Sequence, residues 1–229
     1  MNSAGNREIE IKLRVEDLGA VKRRLTRLRA LRSGDGRVHE MNLLFDTPQG
    51  GLAKHGQLLR LRVETAGHKK RKAGGNPAVL TYKGPAEAAG AAVASPATSA
   101  SSVQTLEGRR GRYKVREELE VGVGDSDGMR AVLEALGLRG WFRYEKYRTT
   151  FRLPESLRWA AGLHIVLDET PIGDFIELEG PPAAIDQAAR LMGYAPADYI
   201  TRSYLALHLE HCRKRGLPTQ DMLFPSREK

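Results

Sequence analysis

The sequence feature that most constrains the fold is a short charged pattern that occurs three times. Glu-x-Glu, with an apolar residue between the acids, occurs at Glu8/Glu10, Glu118/Glu120 and Glu177/Glu179, and the first copy continues to Lys12. Side chains of a β-strand alternate between two faces, so each pair of acids shares one face. Two adjacent carboxylates repel unless a cation lies between them, and a lysine on the same face attracts an anion. The first strand therefore carries half of a metal site beside half of a phosphate site.

Basic residues follow the same period of two on other predicted strands. They are Arg60 and Arg62, the single residues Lys83 and Arg116, and Lys146 and Arg148. A sheet with one solvated face usually mixes its polar residue types, whereas here acids and bases segregate onto different strands. Unpaired charge is too costly to bury in an apolar core. The pattern therefore predicts a closed barrel with a charged lumen, and with helices over its apolar outer face.

The hydrophobic pattern predicts an α+β domain with eight strands. The strands are expected at 7–15, 38–46, 57–65, 78–83, 113–123, 142–153, 163–168 and 174–180, and the helices at 18–31, 128–137, 183–192 and 200–214. Asp17 and Asp127 are the expected N-caps. Together these elements form one domain over residues 7–214.

Two segments are expected to lie outside this regular structure. Residues 86–108 are rich in Ala, Ser, Thr and Gly and are predicted to be a flexible insertion. A basic loop at 69–72 is expected at a hairpin tip. Residues 215–229 are expected to form a loose C-terminal tail.

Composition narrows the class of partner and the compartment. The 229 residues carry a net charge of +9, which favours anionic partners. Cys212 is the only cysteine, so no intramolecular disulfide can form. Neither an apolar leader nor a run of about 18 apolar residues is present. A cytoplasmic protein without a membrane partner is expected, and the sequence leaves open whether it forms a homodimer.

The ordered set of motifs resembles the CYTH superfamily, the triphosphate tunnel metalloenzymes, in its class IV adenylyl cyclase-like branch. Glu8-Ile-Glu-Ile-Lys12 resembles the family's Glu-x-Glu-x-Lys signature. The later motifs follow in family order: Phe45-Asp-Thr-Pro48, Leu59-Arg-Leu-Arg62, Thr81-Tyr-Lys-Gly-Pro85, Arg116-x-Glu-x-Glu120, Lys146-x-Arg148, Asp168, Gly173-Asp-Phe-Ile-Glu-Leu-Glu179 and Arg202-Ser-Tyr-Leu205. The resemblance spans about residues 7–210 and implies an eight-stranded antiparallel tunnel.

The resemblance also implies a role for each charged residue. Mg²⁺ or Mn²⁺ would be held by carboxylates, which are Glu8, Glu10, Glu177 and Glu179, with Glu118, Glu120 and Asp168 as weaker candidates that could instead orient water or basic side chains. The triphosphate would be bound by Lys12, Arg60, Arg62, Lys83, Arg116, Lys146 and Arg148. Lys12 and Lys83 are the candidates for neutralising or protonating the leaving phosphate. Hard cations prefer oxygen ligands, and phosphoryl transfer needs positioning and charge neutralisation above all.

Three functions are compatible with such a tunnel. The first is a metal-dependent triphosphatase that hydrolyses tripolyphosphate, ATP, thiamine triphosphate or another organic triphosphate. The second is a class IV adenylyl cyclase, which would convert ATP to cyclic AMP and pyrophosphate and would need an adenine pocket that no residue demonstrates. The third is a non-catalytic polyphosphate-binding module. Nucleic acid is not the expected partner, because no known nucleic-acid module is present.

Overall fold

Eight antiparallel strands close into a barrel. The computed structural model describes residues 7–66, 76–87 and 111–225. The strands are β1 (Arg7–Val15), β2 (Leu31–Asp46), β3 (Leu58–Ala66), β4 (Ala78–Lys83), β5 (Lys114–Val123), β6 (Arg139–Arg152), β7 (His164–Thr170) and β8 (Gly173–Glu179). Their order around the barrel is β1-β5-β4-β3-β2-β6-β7-β8. This confirms the predicted fold.

Helices cover the outside of the barrel. In the described part of the chain they are α1 (Leu18–Arg27), α2 (Gly51–Lys54), α3 (Ser126–Ala135), α4 (Pro182–Leu191) and α5 (Tyr204–Arg215), with short 3₁₀ turns at Arg158–Ala160 and Pro196–Asp198. Ile11 and Leu13 of β1 share a buried apolar cluster with Ile185 and Ala188 of α4. The aliphatic face of the first strand therefore points outward against helices, and its charged face points into the lumen.

Several boundaries differ from the prediction: β2 begins at Leu31 rather than at 38, β6 at Arg139 rather than at 142, and α5 at Tyr204 rather than at 200. Two further differences have a cause in the local backbone. Helix α1 ends at Arg27, four residues early, since Arg29 adopts a positive φ of 53° and the chain turns directly into β2. Arginine is an uncommon residue in that conformation, so the sequence gives little sign of the turn. The cap of α3 is Asp125, whose carboxylate accepts from the N–H of Asp127, rather than Asp127 itself.

One end of the lumen is filled by apolar side chains. Leu44, Phe142 and Phe175 lie an even number of residues from the inward-facing charged residues of their strands, so they also point inward. They form a buried cluster with Tyr204 and Leu207 of α5. The start of α5 is fixed nearby, because Ile200 exchanges both backbone hydrogen bonds with Lys12 on the part of β1 that β5 leaves free. We call this cluster the apolar plug.

The expected loose tail after Gly216 is wrong as far as Pro225. Residues 220–224 return to the barrel along the part of β6 that β7 leaves unpaired, and Met222 forms a parallel bridge with Tyr144. Met222 is only 1% exposed and joins the apolar plug. An apolar side chain buried this far stabilises the packed state by roughly 1.5–3 kcal/mol, which opposes fraying.

Two expectations fall outside the described residues. The basic loop at 69–72 does so entirely, and the insertion at 86–108 does so except for its first two residues. None of the described helices is both long enough and apolar enough to cross a lipid bilayer.

Candidate active site

A cavity of about 260 Å³ occupies the charged part of the lumen. Among the described residues its lining contains eight basic and six acidic side chains. They are Lys12, Arg60, Arg62, Lys83, Lys114, Arg116, Lys146 and Arg148, and Glu8, Glu10, Glu118, Glu120, Glu177 and Glu179. The uncharged lining consists of Leu58, Tyr144, Ser203 and Tyr204. The cavity is therefore built to hold charge.

Four carboxylates from three neighbouring strands form what we call the acidic wall: Glu8, Glu10, Glu118 and Glu179. Glu10 lies directly opposite Glu179 in the pairing of β1 with β8. Gly180 ends β8 beside Glu179 at a φ of +142°, where any side chain would overlap the backbone of Gly162. Glycine is thus required there for Glu179 to lie at the strand end.

The acidic wall shows the strain of crowded negative charge. Burial, together with the neighbouring Glu10, raises the pKa of Glu8 to about 7. Burial and Glu118 likewise raise the pKa of Glu179. Burial opposes the charge on Glu10 as well, but Lys12 and Lys114 outweigh it and lower the pKa of that carboxyl. For Glu8 and Glu179, burial and the neighbouring carboxylates therefore outweigh the nearby positive charge.

Three lysines partly neutralise this wall. Lys83 Nζ lies 2.6 Å from Glu8 Oε2 and 3.2 Å from Glu118 Oε1. Lys114 Nζ lies 2.6 Å, and Lys12 Nζ 3.1 Å, from Glu10 Oε1. Glu179 makes no ion pair with any residue in the described part of the chain. The four carboxylates of the wall therefore outnumber the three lysine ammonium groups beside them.

The opposite side of the cavity forms the basic wall, made of Arg60, Arg62, Lys146 and Arg148. Fully buried Asp168 binds two of these side chains at once. Lys146 Nζ donates to Asp168 Oδ2 at 2.8 Å, and Arg148 donates to both carboxylate oxygens at 2.8 and 2.7 Å. Such a two-pronged guanidinium–carboxylate pair is strong and directional. Tyr204 Oη adds a further bond to Asp168 Oδ2 at 2.8 Å.

A second buried carboxylate lies beneath the basic wall. Glu40 is 0% exposed, and its oxygens lie 3.4 Å from Arg148 Nε and 3.5 Å from Lys146 Nζ. No hydrogen bond to either oxygen has good geometry. Burial opposes the charge of Glu40, but Arg148 and Lys146 outweigh it and lower its pKa to about 2. Glu40 therefore remains an anion that balances the cations above it.

The lumen brings together most of the residues expected from the sequence, with three exceptions in detail. Asp168 does not line the cavity and is committed to Lys146, Arg148 and Tyr204. Glu120 faces the cavity but lies beside Arg60 and Arg62 at 3.5 and 3.6 Å rather than with the acidic wall. Arg116 lines the cavity, but two of its N–H groups donate to the carbonyl oxygens of Gly84 and Gly56. The other expected residues line the cavity.

The sequence did not identify Lys114, Tyr144, Glu40 and Tyr204 as site residues. Lys114 shares the inward parity of Arg116 on β5, and Tyr144 shares that of Lys146 on β6, so strict use of the period of two would have found both. Glu40 also lies on a predicted strand, but that strand has no second charged residue two positions away that would have marked an inward charged face. Tyr204 enters from a helix, and no strand pattern could have indicated its place.

The family model of the CYTH domain matches residues 6–204. The chain belongs to the CYTH family. This confirms the resemblance found in the sequence. CYTH domains are in general enzymes that act on triphosphates with divalent metals. No curated protein sequence matches the chain significantly.

Solved structures share the CYTH fold across nearly their whole length. A candidate adenylate cyclase from Vibrio parahaemolyticus has a TM-score of 0.65 at 20% identity, covering 89% of this chain and 98% of that chain. A Pyrococcus horikoshii protein has a TM-score of 0.60 at 22% identity, covering 89% and 99%. A candidate adenylyl cyclase from Hippeastrum, described as having dominant triphosphatase activity, has a TM-score of 0.54 at 20% identity, covering 93% and 97%. At these identities the likeness shows the fold.

The acidic wall of this CYTH domain fits a hard divalent cation in donor chemistry. Carboxylate oxygens are the ligands that Mg²⁺ and Mn²⁺ prefer. Burial and neighbouring carboxylates raise the pKa values of Glu8 and Glu179, so an added positive charge would favour the ionised form of both groups. In the described residues no three acidic, histidine or cysteine side chains are yet gathered closely enough to enclose an ion. The donor atoms therefore fit such a cation, and at present the lysines neutralise part of the negative charge that the cation would neutralise.

Proposed function

We propose that this CYTH protein is a divalent-metal-dependent triphosphatase that hydrolyses the terminal phosphate of tripolyphosphate or of an organic triphosphate. The observation that carries the proposal is the separation of charge within one cavity. Carboxylates with raised pKa values lie on one side, and Arg60, Arg62, Lys146 and Arg148 lie on the other. A polyanion with an associated cation matches both sides at once.

The size and lining of the cavity favour a compact polyanion as the reacting group. Its volume of about 260 Å³ lies below the roughly 300–1,000 Å³ of pockets that enclose drug-sized ligands. Its uncharged lining in the described residues comprises Leu58, Tyr144, Ser203 and Tyr204. The N-terminal end of α5, at Ser203, also faces this space, and helix N-termini favour anions. These features support phosphate binding more directly than adenine binding.

The proposed roles follow the two walls. Glu8, Glu10, Glu118 and Glu179 would hold the metal, together with Glu177, which lies between the walls and faces the cavity. A bound Mg²⁺ or Mn²⁺ would supply charge neutralisation at phosphate oxygens. The basic wall would bind and orient the phosphates, with Asp168 and Glu120 holding its side chains in place.

The lysines act as fixed positive charges in this proposal. Carboxylates outweigh burial and raise the pKa values of both Lys12 and Lys83. Each lysine therefore stays protonated at neutral pH. Lys12 lies between Glu10 and Glu177, where it would neutralise charge that develops on the leaving phosphate. Neutralisation, rather than proton donation, is the role that this electrostatic setting supports.

An adenylyl cyclase is the competing reaction in the same lumen, and one assay separates the two. Purified protein is incubated with Mg²⁺ or Mn²⁺ and with tripolyphosphate, thiamine triphosphate or ATP, and the products are identified by ion chromatography. Orthophosphate without cyclic AMP is the expected result. Cyclic AMP with pyrophosphate would overturn the proposal, and binding without turnover of any substrate would favour the polyphosphate-binding module. Glu117→Gln, a change on the outer face of β5, serves as the control for substitutions in the acidic wall.

A further inference from the structure

The C-terminal strap, which we define as residues 220–224, lies beyond the segment that the CYTH family model matches. It is bonded to β6 at several points. Met222 N donates to Arg143 O at 2.9 Å, and Glu145 N donates to Met222 O at 3.0 Å. Asp221 accepts from both the backbone and the side chain of Arg143 at 2.8 and 2.7 Å. The strap is thus attached to the part of the β6 edge that β7 leaves unpaired, and β6 supplies two residues of the basic wall.

The outer end of the strap is held by side chains on the barrel exterior. Phe224 N donates to Glu145 Oε1 at 2.5 Å, and the Phe224 ring lies 5.3 Å from that of Tyr147. The inner end is held by α5, because His208 Nε2 lies 2.8 Å from the carbonyl oxygen of Gln220. These two anchors fix where Met222 enters the apolar plug.

The apolar plug connects Met222 to the cavity through two tyrosines. Met222, Tyr144 and Tyr204 belong to one buried cluster, and the two tyrosine rings lie 6.5 Å apart. Both tyrosines also line the cavity. Tyr204 Oη donates to Asp168, and Asp168 in turn binds Lys146 and Arg148. A continuous series of contacts therefore leads from the strap to two cations of the basic wall.

We propose that the C-terminal strap is a positioning element of the basic wall. Met222 fixes the packing of Tyr144 and Tyr204, Tyr204 fixes Asp168, and Asp168 aims Lys146 and Arg148 into the cavity. Loss of the Met222 side chain leaves space in the plug, and the aromatic rings shift into it. The inference rests on the proposed function only in taking these two cations as ligands of a phosphate chain.

The test compares Met222→Ala with a matched control. Leu217→Ala removes an apolar side chain from the same tail, but Leu217 is 50% exposed and lies outside the plug. Binding of tripolyphosphate is measured by calorimetry, at a temperature where circular dichroism shows every variant folded. Met222→Ala should weaken binding about 3- to 30-fold, the range expected for coupling through packed contacts. Met222→Leu should restore it, and Leu217→Ala should leave it unchanged.

A second measurement needs no substrate. The Nε–H of Arg148 is bonded to Asp168 Oδ1 and should give a slowly exchanging NMR signal, which is assigned by its loss in Arg148→Lys. Its exchange should accelerate in Met222→Ala and stay slow in Leu217→Ala. In a Tyr204→Phe background, Met222→Ala should add little, because the route through the hydroxyl is already broken.

The outcomes separate the two ideas. Unchanged exchange of the Arg148 signal in Met222→Ala overturns the positioning role, even if its melting temperature falls, since the strap would then only stabilise the fold. Accelerated exchange in a protein that does not bind tripolyphosphate supports the strap and removes the proposed substrate class instead.

Discussion

The two walls of the lumen differ in how completely their charges are balanced. In the basic wall, Lys146 and Arg148 share the buried carboxylate of Asp168, with Glu40 beneath them. In the acidic wall, Lys83 is shared by Glu8 and Glu118, and Glu179 has no ion pair among the described residues. Burial above all, together with neighbouring carboxylates, raises the pKa values of Glu8 and Glu179.

This difference indicates that an added cation would stabilise the ionised carboxylates of the acidic wall. In the basic wall, the charges of Lys146 and Arg148 are already balanced by the buried carboxylates of Asp168 and Glu40. The acidic wall is unfinished, since burial disfavours its carboxylates until a cation joins them. Substitutions that remove one negative charge should therefore have opposite effects on stability in the two walls.

The largest effect is expected from Asp168→Asn. The change leaves Lys146 and Arg148 without their shared counter-ion, and breaking one side of a buried ion pair costs roughly 3–5 kcal/mol. The free energy of unfolding, measured with urea, should fall by that amount. Glu169→Gln is the control, because its partner Arg37 is a surface residue and the pair contributes at most about 1 kcal/mol. Equal losses in the two variants would show that the basic wall is not a buried network.

Glu179→Gln should separate activity from stability. Loss of one proposed metal ligand should lower kcat/KM for tripolyphosphate with Mg²⁺ by more than about 100-fold. The metal-free protein should be at least as stable as the wild type, because a carboxylate with a raised pKa is replaced by a neutral amide. A large loss of metal-free stability would contradict the view that this wall is short of positive charge.

Glu40→Gln should change affinity in the opposite direction. Removing the anion beneath Arg148 and Lys146 leaves the basic wall more positive, so metal-free tripolyphosphate should bind about 3- to 10-fold more tightly, or roughly 0.7–1.4 kcal/mol. Titration calorimetry at fixed salt measures the change. Weaker binding would mean that Glu40 orients these cations rather than balancing them, and Glu40→Asp would then retain affinity.

The smallest expected effect is a pH dependence of metal stabilisation. The pKa of Glu8 is about 7 in the folded protein, against about 4.3 in an unfolded chain. Its contribution to metal-free stability is therefore present below about pH 4 and is lost as the pH rises through 7. Mg²⁺ competes with that proton, so the metal should raise Tm more at pH 8 than at pH 6, by about 2–4 °C. Equal shifts at both values would remove Glu8 from the metal set.

The sequence allowed the barrel and much of its lumen to be predicted because both depend on a period of two. Glu8, Glu10 and Lys12 had to share a face, and so did Lys146 and Arg148, whatever the rest of the chain did. The division of labour among them could not be predicted in the same way. Asp168 and Glu120 look like members of the acidic set in the sequence, but strand order and stagger place them beside arginines.

The remaining surprises come from contacts that span long stretches of chain. Tyr204 reaches the lumen from a helix, and Met222 reaches the plug from a tail that lacks any periodic pattern. Single apolar residues in irregular segments are common, and only tertiary packing decides which of them are buried. The early end of α1 has a local cause by contrast. It depends on the left-handed backbone conformation of Arg29, which arginine rarely adopts, so the sequence did not indicate it.

The apolar plug has a consequence for how a substrate would enter the lumen and how products would leave it. In the described part of the chain, Phe175, Phe142 and Leu44 are buried together with Tyr204 and Leu207 of α5 at one end of the lumen. If the proposed function is correct, a long phosphate chain would not pass through this apolar end and would bind by its terminus. In the proposed reaction, the products would then leave from the same side that the substrate enters, before the next substrate molecule binds.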